Sequence, residues 1–137
     1  MVALFSLAAT AAAAAEYVVT SDGITQPLTR VPGDAARGKK ILIDRELGNC
    51  LACHAAAVEA DFFGTIGPSL VGVGARLTTA QMRLRVVDAK RIYPASIMPA
   101  YFRATGLQRV LPDLLGKTIL SAQQVEDVVA YLATQAR

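Results

Sequence analysis

No tryptophan occurs in the 137 residues of the chain, which holds only four phenylalanines, four tyrosines, two cysteines and one histidine. Each scarcity closes off a class of reading. An aromatic set this lean leaves a small domain with a modest core, which a large bound cofactor would complete. One histidine and two cysteines cannot supply the four ligands of a structural zinc site, still less a second cluster. Blocks of like charge are missing too. Lys and Arg number 14 against 11 Asp and Glu, a formal net charge of +3, and they are scattered. That excludes a nucleic-acid footprint, although a mildly basic surface suits an acidic patch on a protein partner. Finally, there is no apolar run that would span a bilayer once its flanks are counted.

The one apolar stretch lies at the front. "MVALFSLAATAAAAAEYVV" ends its apolar run in Ala13-Ala14-Ala15 before Glu16, a small-residue cleavage pattern. Residues 1–15 read as a cleaved signal peptide, so export to the periplasm is expected, with no membrane span after cleavage. No Lys or Arg precedes the run. A positive n-region is normal there, and the expectation is that the true start lies upstream or that the leader is truncated. Residues 16–33 read as an extended arm. They carry β-branched residues, an Asp-Gly pair and two prolines without helical period. Residues 34–137 read as one all-α domain with three main helices. The first starts at Asp34 as N-cap and runs through "AARGKKILIDREL", with Ala35, Gly38, Ile41 and Leu42 on one face. Residues 61–76, with four glycines and a proline, read as loop. The second helix, roughly 79–89, has Thr78 and Gln81 at capping-box spacing. On it Met82 and Val86 face in, while Arg83, Arg85 and Lys90 face out. The third follows Ser121 and Gln124, with Leu120 and Val125 as a staple and Val125, Val128, Val129 and Leu132 as its buried face.

All the soft ligands fall within five positions, Cys50-Leu51-Ala52-Cys53-His54. A structural disulfide suits an exported chain but leaves His54 without a part. A thioredoxin-type redox pair needs a preceding strand, and a helix precedes this one. Zinc lacks its fourth ligand. Covalent haem uses all three residues in one act: two thiols add to the two vinyl groups of one porphyrin, and the adjacent imidazole reaches the iron. Both thiols are then consumed, so no nucleophilic cysteine remains.

The sixth iron ligand cannot be a second histidine. Of the three methionines, Met1 leaves with the leader and Met82 suits core filling on a helix face. Met98 lies in a loop ahead of Pro99, which biases it toward extended geometry. It is the candidate ligand, the alternative being a loop methionine filling a gap. A His/Met pair raises the reduction potential and leaves no open position, which favours electron transfer over catalysis at the iron. A gas sensor with a displaceable Met98 is a weaker reading. Pro68, after Gly67, is the candidate carbonyl for the second imidazole N–H, the alternative being an ordinary turn. Tyr93, Tyr101 and Phe102 could lie on the haem plane and Arg91 or Arg103 could meet a propionate; they serve equally as core aromatics and surface arginines.

"CLACH", then "GPSL", a loop "IMP" and the helix "VEDVVAYL" together resemble class I cytochrome c. "DRELGNCLACH", "ADFFGTIGPSLVGVGARL", "LRVVDAKRIYPASIMPAYFR" and "VEDVVAYLA" resemble, more narrowly, the SoxX family, the monohaem subunit of the SoxAX cytochromes. The resemblance implies one haem c held by Cys50 and Cys53, with His54 proximal and Met98 distal. It implies a SoxA cytochrome partner in the periplasm, whose cysteine-ligated haem performs the oxidative coupling of thiosulfate to a cysteine of the SoxYZ carrier. The chain would then be the redox subunit of an L-cysteine S-thiosulfotransferase, accepting electrons and passing them to a downstream cytochrome. The competing reading is a free-standing soluble electron shuttle, which the basic surface also suits; an arm for wrapping a partner favours the subunit.

Overall fold

The computed structural model describes residues 16–136, and the expected signal peptide lies outside them. Four α-helices follow in order: α1 (Ala35–Ile43), α2 (Val73–Arg76), α3 (Thr79–Asp88) and α4 (Ala122–Thr134). Turns of 3-10 helix occupy Cys50–Ala52, Ala89–Arg91 and Pro112–Leu114. The described residues contain no strand, only an isolated bridge between Thr20 and Gly23. The all-α architecture with three main helices is therefore as expected.

Helix starts follow local chemistry. Asp34 accepts the Arg37 N–H at 2.8 Å and caps α1. Thr78 with Gln81, and Ser121 with Gln124, close complete capping boxes on α3 and α4. Such a cap contributes about 1 kcal/mol. Two boundaries differ from the sequence reading. Helix α1 stops at Ile43, because the Asp44 carboxylate takes the Glu46 N–H while its carbonyl takes those of Leu47 and Asn49. A turn built on Asp44 thus replaces another helical turn. Within the stretch read as loop, α2 forms one helical turn after Gly72, which adopts the left-handed conformation.

Helix α4 is the spine. Helices α1, α2 and α3 all pack on it, α1 most extensively. The α1–α4 crossing is close because Gly38 is buried with no side chain in the way. A Cβ there would run into the Asp127 carbonyl and the Tyr131 Cβ. Leu42, Val87, Leu120 and Val125 are completely or almost completely buried around this crossing.

Residues 16–33 have no helix or strand of their own, turn at Thr20–Gly23, and lie back along the domain. Ile24 is 0% exposed, and its N–H donates to the Ala80 carbonyl at 3.1 Å. The Leu28 N–H donates to the Glu126 carboxylate at 2.9 Å. This brings a correction on α3. Arg83, read as facing solvent, is buried at 5% exposure. Its guanidinium grips Glu126 of α4 through two bonds, of 2.7 and 2.9 Å, and donates to the Ile24 carbonyl at 2.6 Å. A buried charge is tolerated when paired and fully bonded. Arg85 and Lys90 are likewise half-buried, not out in solvent.

A second pair fastens α1 to α4. Arg37 holds Asp127 through bonds of 2.8 and 2.9 Å, and Asp127 also accepts the Asp34 N–H and the Gln123 amide. The Arg37 bond above all, with these N–H donors, holds the Asp127 carboxyl down at about 2, against the opposing effect of burial.

Two outcomes follow. Gly38→Ala gains about 1 kcal/mol of helix propensity but overpacks a backbone contact, a cost of about 1–3 kcal/mol or more; denaturant melts should show a net loss of about 2 kcal/mol. For Asp127 the folded value is depressed, so its contribution is complete above the unfolded value of about 3.9. That contribution is lost as pH falls through about 2. Asp127→Asn should therefore flatten the stability–pH curve between about pH 4 and 2 relative to the parent.

Candidate functional site

The turn that follows α1 sets the site. Asn49 takes a left-handed conformation (φ 48°), which swings the chain from the end of α1 into the 3-10 turn Cys50–Ala52. In a 3-10 turn, side chains three apart eclipse one another. Cys50 and Cys53 are three apart, so both thiols emerge on one side. The Cys53 and His54 N–H groups donate to the Cys50 carbonyl at 3.1 and 2.9 Å, which closes the turn and brings the imidazole to the same side. Both cysteines are free thiols, so the disulfide reading falls.

The segment after the motif returns over it. Gly64 N–H donates to the Leu51 carbonyl and Gly67 N–H to the Cys53 carbonyl, each at 2.8 Å. His54 Nδ1 then lies 2.6 Å from the Pro68 carbonyl, the partner that the sequence picked out. Bonded there, Nδ1 carries the proton and Nε2 is left with its lone pair free, as a metal-binding imidazole requires. Gly67 makes room for this: a Cβ at 67 would collide with three atoms of the imidazole ring. Arg76 secures the same loop by donating to the Ser69 and Val71 carbonyls at 2.8 and 2.7 Å.

Cys50, Cys53, His54, Pro68 and Met98 all line one cavity of about 670 Å³. That is within the range of small-molecule and cofactor sites. Leu42 of α1, Met82 and Val86 of α3, and Val128 and Leu132 of α4 supply apolar wall. Burial pushes the Cys50 thiol up to about 11. Burial likewise raises the hydroxyl of Tyr101, which donates to the Gly48 carbonyl beside it. Charge is disfavoured at this wall, which suits the face of a porphyrin. Two thiols, an imidazole with a free nitrogen and a thioether around an apolar slot are the donor set that a covalent haem needs.

The remaining expectations divide. Met98 is partly buried against the core. Met82 is 2% exposed and is a core residue, as read, though it also touches the cavity. Tyr93 and Tyr101 line the cavity, whereas Phe102 does not and packs its ring 6.4 Å from that of Tyr17. Arg91 and Arg103 are not on the cavity wall. Both turn to the buried Asp88, at 3.9 and 3.0 Å. The cations on the wall are Arg76 and Arg85, which sequence reasoning missed. Nothing local marks them; only the tertiary fold carries α2 and that face of α3 to the cavity.

A family model described as Cytochrome c matches residues 35–136. Among solved structures, the crystal structure of SoxXA from P. pantotrophus is 38% identical, covering 89% of this chain and 96% of that one, with a TM-score of 0.81. Ferric cytochrome c-550 from Paracoccus versutus is 22% identical over 77% of this chain and 99% of its own, with a TM-score of 0.43. Cytochrome c2 from Paracoccus denitrificans is 23% identical over 76% and 97%, also with a TM-score of 0.43. The comparison with curated proteins found no match.

Gly67→Ala tests the cradle. The added methyl drives the imidazole from its place, and the fraction of chain purified with covalent haem, read by intact mass, should fall severalfold.

Proposed function

Because the chain belongs to the cytochrome c family, in its SoxX branch, and carries one covalently bound haem c, we propose that it is the electron-accepting subunit of a periplasmic SoxAX-type complex. The observation that carries this reading is the match to SoxXA, which extends over nearly the whole of both chains. In this reading Cys50 and Cys53 form the two thioethers, His54 is the proximal ligand and Met98 the distal one. Pro68 accepts the His54 N–H and fixes the ring plane. Arg76 and Arg85 are the cations available to the haem carboxylates.

The bound haem supplies reversible one-electron chemistry at iron. The protein's part is to bind, orient and exclude water. With His54 and Met98 both holding the iron, no place would be left for a substrate to coordinate. Neither thiol is left to accept a sulfur group, so the coupling of thiosulfate to the SoxYZ cysteine belongs to the SoxA partner. This chain receives the electrons released when that sulfur–sulfur bond forms, one at a time, and passes them to a downstream cytochrome. It is thus the redox subunit, not the catalytic one, of an L-cysteine S-thiosulfotransferase.

The rival is a free-standing shuttle, supported by the basic charge balance. Residues 16–33 bear on the choice. They are docked on α3 and α4 through Ile24 and Leu28, so a partner would meet them as a formed surface. Native mass spectrometry of protein drawn gently from its own periplasm at near-physiological salt separates the two readings. The subunit reading expects this chain with one haem joined to a second haem-bearing chain, and turnover of thiosulfate by that complex. A lone chain with one haem under those conditions would establish the shuttle instead.

A further inference from the structure

The loop that carries Met98 has little packed behind it. Ile97 is 74% exposed. Ile97 and Pro99 line the cavity described above and also a second cavity of about 610 Å³. On the side of this second cavity, side-chain packing does little to hold the segment. Nor is it held by backbone bonding at its tip, since Pro99 has no N–H to give. Both peptide groups of Met98 are instead taken by side chains. Its N–H donates to Ser96 Oγ at 3.2 Å, within the loop itself. Its carbonyl accepts from Lys90 Nζ at 2.8 Å.

Lys90 is fixed in turn. It sits in the 3-10 turn Ala89–Arg91, and the Asp88 carboxylate accepts its N–H at 3.2 Å. Asp88 is 0% exposed, and its other oxygen accepts from Arg103 at 3.0 Å. The far end of the loop returns to the same place. Tyr101 and Phe102 donate to the Val86 and Val87 carbonyls at 3.3 and 3.2 Å. Both feet of the loop therefore stand on the end of α3. The Lys90–Met98 bond is the hydrogen bond among the described residues that runs from this base to Met98.

We propose that Lys90 is a positioning residue: its ammonium group pins the Met98 carbonyl and so keeps the thioether in the haem cavity. This rests on the reading of Met98 as distal ligand. A charged donor on a carbonyl is stronger than a neutral one, which suits a single bond that anchors the loop tip to its base. When that bond is lost, the loop swings more often and the sixth position opens to an external ligand.

The test uses the haem-loaded chain in its ferric form, with imidazole as probe. Lys90→Met removes the donor at nearly constant length, and Lys90→Arg keeps one. The rate of imidazole binding, followed by absorption, should rise about tenfold in Lys90→Met, roughly the worth of one charged hydrogen bond. Lys90→Arg should restore a rate near that of the parent, and the denaturation midpoint of Lys90→Met should fall by no more than the loss of that one bond accounts for. An unchanged imidazole rate in Lys90→Met would overturn the proposal. So would a rate that rises only in step with a fall in the midpoint and is not rescued by arginine. Met98→Ala is the control on the reading beneath. If its ferric absorption changes while Lys90→Met behaves as the parent, the positioning role fails and the ligand stands; if its absorption matches the parent, the ligand assignment fails and takes this role with it.

Discussion

The close crossing of α1 over α4 is the constraint on which everything else in the molecule hangs. At Gly38 and Gly33 the α1 side of the chain lies directly on the Asp127 and Glu126 carbonyls of α4. The next residues on α1, Ile41 and Leu42, are thereby committed to the core. The chain leaves α1 at Asp44 and reaches Cys50 within one turn, so the position of the Cys-His turn is inherited from the crossing. Leu42 on one side and Val128 and Leu132 on the other already form two walls of the cavity. A shift at Gly38 would be passed to the thiols almost rigidly, because close-packed interiors transmit displacement instead of absorbing it.

The acidic pair at the centre of α4 extends this logic. Glu126 and Asp127 are neighbours in sequence, and each recruits a different part of the chain. Asp127 takes Arg37 and the start of α1; Glu126 takes Arg83 of α3 and Leu28 of the arm. One turn of helix thus ties three segments together by charge-assisted bonds. Removing one member of the buried Arg83–Glu126 pair would strand the other, typically at about 3–5 kcal/mol. The arrangement stabilises one specific docking of the arm more than it adds to net stability, since both charges were solvated before folding.

What could be read from the sequence follows the range of each interaction. The capping boxes at Thr78 and Ser121, the N-cap at Asp34 and the grouping of Cys50, Cys53 and His54 are all complete within a few residues, and all were legible. The Pro68 carbonyl was legible as well, because Gly67-Pro68 announces a stiff turn with room beside it. Arg83 was misread because periodicity counts arginine as polar, and its partner Glu126 lies 43 residues away. The same blindness left Arg91 and Arg103 open between a propionate and the surface when both turn to the buried Asp88, and passed over Arg76 and Arg85. Helix α2 escaped because a single turn among four glycines has no period to detect. The absence of a helix before Asp34 was legible, but the contacts of residues 16–33 at Ala80 and Glu126 were not.

The two sides of the cavity are built on different principles. On the histidine side the chain holds His54 almost wholly through its own backbone: the 3-10 turn, the Cys53–Gly67 bond and the Pro68 carbonyl, with Gly67 leaving no slack around the ring. These contacts span at most 14 residues, so loop closure costs little and the ring has one place to be. On the methionine side the chain is a loop whose Met98 peptide groups are bonded by side chains alone. Soft sulfur on a flexible arm tolerates such a setting better than an imidazole would, because a thioether needs no second hydrogen bond to fix its orientation. The asymmetry has a mechanical consequence. Under the ligand assignment proposed above, an exchanging ligand would enter from the Met98 side, while the His54 side stays tied to the thiols next to it.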